Sequence, residues 1–224
     1  MFSLLVFDLD GTLVDSRQDL AEATNRLILE HGGQPLDQEA VVHMVGEGVE
    51  KLVGRAFRAA GLSVPEGAAP RFLELYGERL LVHTRAYPGV PEALEALAHL
   101  TSLAVLTNKP RDLSEAILAG LGLATFFGQV LGGDGPYGRK PDPEGLRRLM
   151  SDFDVLVEET LLVGDSKIDL ATARAAGTSI ALARYGFGFA DLPREQLRGD
   201  ELLVDTPGEL VTVLQDHGPT VAPE

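Results

Sequence analysis

The feature that most limits how this chain can fold is a recurring pair of patterns. A short apolar run, usually ending at once in Asp, Thr or Gly, is followed by a stretch with helical spacing. The runs are Leu4 to Phe7, Leu103 to Leu106, Val130 to Leu131, Leu161 to Val163 and Ile180 to Ala183. Near-continuous apolar runs of this length read as strands covered on both faces. Helical patterns at about 89–100, 112–122, 143–151 and 168–176 alternate with them, and such alternation implies an α/β protein with a parallel sheet between helical layers. Asp142 followed by Pro143 predicts a helix start there, and Gly177 predicts a helix end. A strand at 202–204 and a helix at 207–216 would complete the sheet, and His217 to Glu224, with its two prolines, is expected to fray.

The interval 16–86 has helical periodicity and no convincing strand. Leu20, Ala23, Leu27 and Ile28 share one face; Leu52, Val53, Ala56, Phe57 and Ala60 form a second stripe; Phe72, Leu73, Tyr76 and Leu80 form a third. The i, i+3, i+4 spacing predicts amphipathic helices packed into a bundle inserted after the first strand. The division expected is therefore a catalytic core over 1–15 and 87–224 and a helical cap over 16–86, with Pro88-Gly89 marking the return and the two connections acting as a hinge.

Charge and composition then exclude whole classes of function. There is no cysteine, so disulfides, thiolate metal sites and cysteine nucleophiles are absent. With 34 acidic and 19 basic side chains the net charge is −15, which argues against binding to a phosphate backbone. No apolar run is long enough for a membrane span, and Met1 leads into the first strand without a basic leader, so a cytoplasmic protein, monomeric or homodimeric, is expected. Of the four lysines, Lys109, Lys140 and Lys167 sit beside the polar clusters that follow.

Those clusters lie where strands end. Asp8 and Asp10 follow the first strand, with Gly11 permitting a sharp turn. Thr107, Asn108 and Lys109 follow the second, Lys140 precedes a proline-stiffened helix start, and Asp165 and Asp169 flank the start of another helix. In open parallel sheets ligands bind outside the carboxyl ends of the strands. Alone, each cluster is ordinary loop chemistry. Together they gather Asp8, Asp10, Asp165 and Asp169 at one edge, where unpaired carboxylates repel. A hard cation such as Mg2+, held by oxygen and shared with a substrate phosphate, resolves that conflict. Thr107 and Lys140 would grip the phosphate opposite the metal, making a small phosphorylated metabolite the expected partner.

These stretches, DLDGT at 8–12, TN at 107–108, KPDP at 140–143 and GDSKID at 164–169, resemble the four motifs of the haloacid dehalogenase superfamily, in the same order. The resemblance implies a Rossmann-like core with strand order 5-4-1-2-3 and a helical cap of the C1 type. By motif position it implies Asp8 as a nucleophile forming an aspartyl-phosphate, Asp10 as general acid and base, and Thr107 and Lys140 as phosphate-orienting groups. It also implies a metal held by Asp8, the Asp10 carbonyl and Asp165, with Asp169 a ligand through water or a second acid behind them. Asn108 would position Asp8 or the phosphate. An acid at position 10, which haloacid dehalogenases proper lack, points to phosphoryl chemistry.

Specificity is expected from the cap. The loop at Val45 to Val53 puts Gly46 and Gly48 before a helix, so that backbone N–H groups could face an anion. This loop, DLDGTLVDS at the start and the segment Asp165 to Gly177 look like phosphoglycolate phosphatases, which implies 2-phosphoglycolate as substrate. Sugar-phosphate phosphatases and β-phosphoglucomutases share the cap type, and a non-catalytic binding protein of the same fold is the remaining alternative. Glu47 and Glu50 near a site for a dianion need compensation, for which Lys51, Arg55 and Arg17 are the candidates.

Overall fold

In the computed structural model, which describes residues 2–216, the first strand, β1 (Leu4–Phe7), is buried along its whole length. Leu4 and Val6 enter one apolar cluster, Leu5 and Phe7 another, because successive strand residues point to opposite faces. After a tight turn come the two-residue strand β2 (Val14–Asp15) and four helices, α1 (Arg17–Glu30), α2 (Gln38–Val42), α3 (Val49–Ala59) and α4 (Ala68–Gly77). The chain returns through β3 (Arg85–Ala86), which pairs antiparallel with β2, Val14 opposite Ala86 and Asp15 opposite Arg85. This strand lies in an interval expected to hold none. Two residues carry no periodicity, and their pairing comes from the partner strand.

The three stripes expected in 16–86 meet in one cluster, with Leu27, Phe57, Phe72 and Tyr76 fully enclosed and Ala60, Leu73 and Leu80 at its margin. Beneath it a buried carboxylate ties the entry of the insertion to its exit. Asp19, in the first turn of α1, accepts from the backbone N–H groups of His83 (2.9 Å) and Thr84 (2.8 Å) and from the Thr84 hydroxyl (2.8 Å), all on Oδ2.

The rest of the chain is α5 (Val90–Ala98), β4 (Ser102–Leu106), α6 (Arg111–Gly120), β5 (Gln129–Leu131), α7 (Glu144–Asp152), β6 (Thr160–Gly164), α8 (Lys167–Ala176), β7 (Ser179–Ala183), β8 (Leu202–Val204) and α9 (Glu209–Asp216). The sheet order is β5-β4-β1-β6-β7-β8, parallel throughout. That is the expected order with the strand at 202–204 added beyond it. Helices α5, α6 and α9 cover the Leu5 and Phe7 face, and α7 and α8 cover the Leu4 and Val6 face. Helix α8 stops at Gly177, whose N–H donates to the Ala173 carbonyl. Helix α7 begins one residue later than expected: Pro143 is its N-cap, and Asp142 Oδ1 accepts the Glu144 N–H at 3.0 Å.

The chain builds outward from β1 to β4 and β5, then crosses back to place β6 on the other side of β1. The carboxyl ends of β1 and β6 are thus the point where strand order reverses, the usual ligand position in such sheets. Among the described residues no helix is long and apolar enough to cross a membrane; residues 217–224, expected to fray, lie outside the described residues.

Candidate active site

Asp8 sits at the tip of β1 and Asp165 at the tip of its neighbour β6, so the pairing of Phe7 with Val163 brings the two acids together. Asp8 Oδ1 accepts the Leu9 N–H (2.7 Å) and lies 2.9 Å from Lys140 Nζ. Gly11 makes the turn that follows at φ +91°, and a Cβ there would collide with the Asp165 carboxylate, so the position needs glycine on two grounds. Asp165 accepts the Gly188 N–H on Oδ2 (2.7 Å) and the Thr12 hydroxyl on Oδ1 (3.3 Å). Asp169 lies in the first turn of α8. Its Oδ2 accepts the Ser166 N–H (3.1 Å) and hydroxyl (2.6 Å), and its Oδ1 accepts Lys140 Nζ at 2.6 Å.

Asp8, Asp165 and Asp169 each offer a carboxylate oxygen within 4.8 Å of the others. Burial first, and then the nearby Asp169, push the Asp8 carboxyl up to about 6 against the pull of Lys140. Burial, Asp169 and Asp8 push Asp165 well above the usual carboxylate range. Burial would lower the Lys140 ammonium, but Asp169 and Asp8 outweigh it and hold it above the ordinary lysine range. Three acids against one lysine leave an excess of carboxylates over cations in a largely buried cluster. An all-oxygen donor set with this excess fits a hard divalent cation. Both oxygens of Asp169 are already engaged, which makes it a support for Lys140 and suits it poorly to direct ligation.

Asp10 turns away from these acids. Its Oδ1 accepts the Ser16 hydroxyl (2.5 Å) and Lys109 Nζ (2.6 Å), so its carboxylate lies outside the acid cluster. Lys109 in turn donates to the Tyr76 hydroxyl of α4 at 2.8 Å. Neither Ser16 nor Tyr76 was singled out from sequence as a site residue. Tyr76 read as part of an apolar stripe; the signal was the hydroxyl that a phenylalanine there would lack.

Thr107, at the end of β4, is buried and borders the same cleft as Asp8. Asn108 does not take the first of the two roles expected of it, holding Asp8. Its Nδ2 donates to the carbonyls of Gly46 and Lys140, both at 2.8 Å, and does not reach Asp8. The amide ties the loop at Gly46 to the backbone of Lys140. Gly46 and Gly48 line the cleft in left-handed backbone, at φ +107° and +91°, but the Gly46 carbonyl is the group seen to be engaged there.

Lys51 is not brought to the site: it is exposed and paired with Glu47 at 2.6 Å. Arg55 pairs with the same carboxylate, and Arg17 pairs with Asp15 at 2.7 Å. Donation from Lys51 and Arg55 holds Glu47 down to about 2, and Glu50 meets Arg139 at 2.7 Å. Lys51 and Arg55 thus compensate Glu47 as expected, whereas Glu50 is met by Arg139 and Arg17 is taken by Asp15.

Two clefts flank Asp8 and Asp10. One has an apolar wall from Leu20, Val49, Leu52, Phe72 and Leu113. The other opens beside Asp165 and is lined by His43, Glu47, Arg55 and Lys167.

A chain with this fold has matches among known proteins. Residues 5–183 match the haloacid dehalogenase-like hydrolase family, and the chain belongs to it. It is 44% identical over 192 residues to a phosphoglycolate phosphatase of Rhodospirillum rubrum, covering 82% of this chain and 80% of that one. It is 34% identical over 220 residues to a phosphoglycolate phosphatase of Colwellia psychrerythraea, covering 95% and 96%. The crystal structure of a protein from Haemophilus somnus, described as a predicted phosphoglycolate phosphatase, superposes with a TM-score of 0.86 at 32% identity, over 95% of this chain and 97% of that one.

Proposed function

We propose that this chain is a magnesium-dependent phosphomonoester hydrolase that acts on 2-phosphoglycolate through an aspartyl-phosphate on Asp8. The observation that carries the reading is Lys140 Nζ lying 2.9 Å from Asp8 and 2.6 Å from Asp169 at the mouth of a buried acid cluster. The named relatives support the choice of substrate, and the apolar wall beside Asp10 suits a short leaving group better than a polyhydroxylated sugar. In this reading the helices of 16–86 are a cap and the sheet with its own helices is the catalytic unit.

Asp8, oriented by the Leu9 N–H and Lys140, attacks phosphorus. The bond from phosphorus to the ester oxygen breaks, and Asp10 gives the departing alkoxide a proton. Asp10 then takes a proton from the water that attacks the aspartyl-phosphate, releasing phosphate and restoring Asp8. Lys140 and Thr107 orient the transferring group and offset its charge, which is where most of the rate enhancement of phosphoryl transfer arises. Asp8, Asp165 and the Asp10 carbonyl would hold a magnesium ion, with Asp169 supporting them, and the ion would neutralise phosphoryl oxygens.

The test is phosphate release from 2-phosphoglycolate beside sugar phosphates and pyrophosphate, with magnesium and with a chelator. A chelator-sensitive preference for 2-phosphoglycolate is expected. Preference for a sugar phosphate would overturn the substrate, and full activity in chelator would overturn the metal.

A further inference from the structure

We propose that Lys109 and Tyr76 form a subsite for a carboxylate carried by the leaving group one carbon from the ester oxygen. The proposal rests on the phosphatase reading above and deepens it by naming what selects the substrate.

Lys51 and Arg55 are taken by Glu47, and Arg139 by Glu50. Among the described residues lining the apolar cleft, Lys109 is the one lysine or arginine. Its side chain is 5% exposed. An ammonium has three donors; here one serves Asp10 (2.6 Å) and one Tyr76 (2.8 Å). The third has no protein acceptor among the described residues, and the Tyr76 hydroxyl makes no other hydrogen bond. Two unused donors therefore border a cleft whose wall is hydrocarbon.

The position matches the chemistry. Asp10 must stand beside the ester oxygen to protonate it, and Lys109 touches Asp10. In 2-phosphoglycolate a single methylene separates the ester oxygen from the carboxylate, so a substrate placed for proton transfer has its carboxylate beside Lys109. The charges agree as well. Lys109 is an almost fully buried cation with one carboxylate partner, Asp10, and a donor left over for the cleft, and a substrate carboxylate supplies both a counter-charge and an acceptor. An ester without that carboxylate leaves the donor unmet and is rejected on that ground, as sites built around a specific polar partner reject analogues lacking it.

The experiment compares 2-phosphoglycolate with ethyl phosphate, which keeps the chain length and lacks the carboxylate, in wild type, Lys109→Met and Tyr76→Phe. The ratio of kcat/KM for the two esters should fall by about 100-fold in Lys109→Met and by about tenfold in Tyr76→Phe, which leaves the contact between Lys109 and Asp10 in place. Equal losses on both esters in both variants would mean that Lys109 acts through Asp10 alone, and would overturn the subsite. So would a wild-type preference for ethyl phosphate.

A binding arm separates this proposal from the phosphatase reading. In an Asp8→Asn background, calorimetry should show tighter binding of 2-phosphoglycolate than of ethyl phosphate, with the difference lost on adding Lys109→Met. If that difference appears while wild type hydrolyses neither ester, the subsite stands and the phosphatase reading falls. No difference in binding overturns the subsite whatever the activity.

Discussion

A carboxylate placed as Asp8 is works against the fold that holds it. Folded, it keeps its proton up to about pH 6, whereas an unfolded chain releases it near about 4. The metal-free protein therefore loses stability as pH rises between those values, and above them the ionised group costs on the order of 2 kcal/mol. Asp8→Asn should abolish turnover beyond traces and make the metal-free protein about 1 kcal/mol more stable at pH 7.5, part of the gain being lost because Lys140 gives up a partner. The difference should vanish near pH 4. Urea unfolding with chelator present reads this, and a lower midpoint for the variant at pH 7.5 would contradict it. Asp8, Asp10, Thr107, Lys140 and Asp165 could be read from sequence because each stands at a strand end or a helix start, where pattern alone marks the sheet edge. The partnerships could not. Nothing in the spacing tells that Glu47 takes both Lys51 and Arg55, that Asn108 grips Gly46, or that the Tyr76 hydroxyl finds Lys109, 33 residues along the chain.

At the scale of elements, the helices of 16–86 and the sheet of the core were legible because both have periodicity; the junction between them was not, because it is made of pairs. Strands β2 and β3 contribute two residues each, and Asp19 satisfies three donors of the returning segment at 2.8–2.9 Å. Asp19→Ala leaves buried N–H groups without an acceptor and should destabilise the protein by about 2–3 kcal/mol, with faster hydrogen exchange at His83 and Thr84. Exchange unchanged at those amides would show that the clamp is dispensable. By contrast the rim contact between His43 and Asp191, 2.5 Å apart and largely exposed, should matter little: Asp191→Ala is expected to change stability by less than about 0.5 kcal/mol in urea unfolding. The clamp at the root of the insertion therefore counts for more than this one exposed contact at its rim.

For the whole molecule, the net charge of −15 and the buried acids act in the same direction: both favour a bound cation. Magnesium at about 100 times its dissociation constant should raise stability by about 2.7 kcal/mol, seen as a higher melting temperature that a chelator reverses. Protons compete for the same oxygens, since Asp8 holds its proton to about 6. Affinity for magnesium should therefore fall by about tenfold between pH 7 and pH 5. Calorimetry at the two values checks it, and constant affinity would remove Asp8 from the metal site. The ribbon of β2 and β3 bears on how such a molecule can be altered. Because departure and return lie side by side, pinned opposite each other at Val14 and Ala86, the sheet meets everything between them as a single closed loop, and lengthening a closed loop costs little entropy. A helical layer of different size or lining could be grafted at that port with the strand tips undisturbed, so chimaeras exchanging it would change which ester is accepted while keeping the machinery that cleaves it.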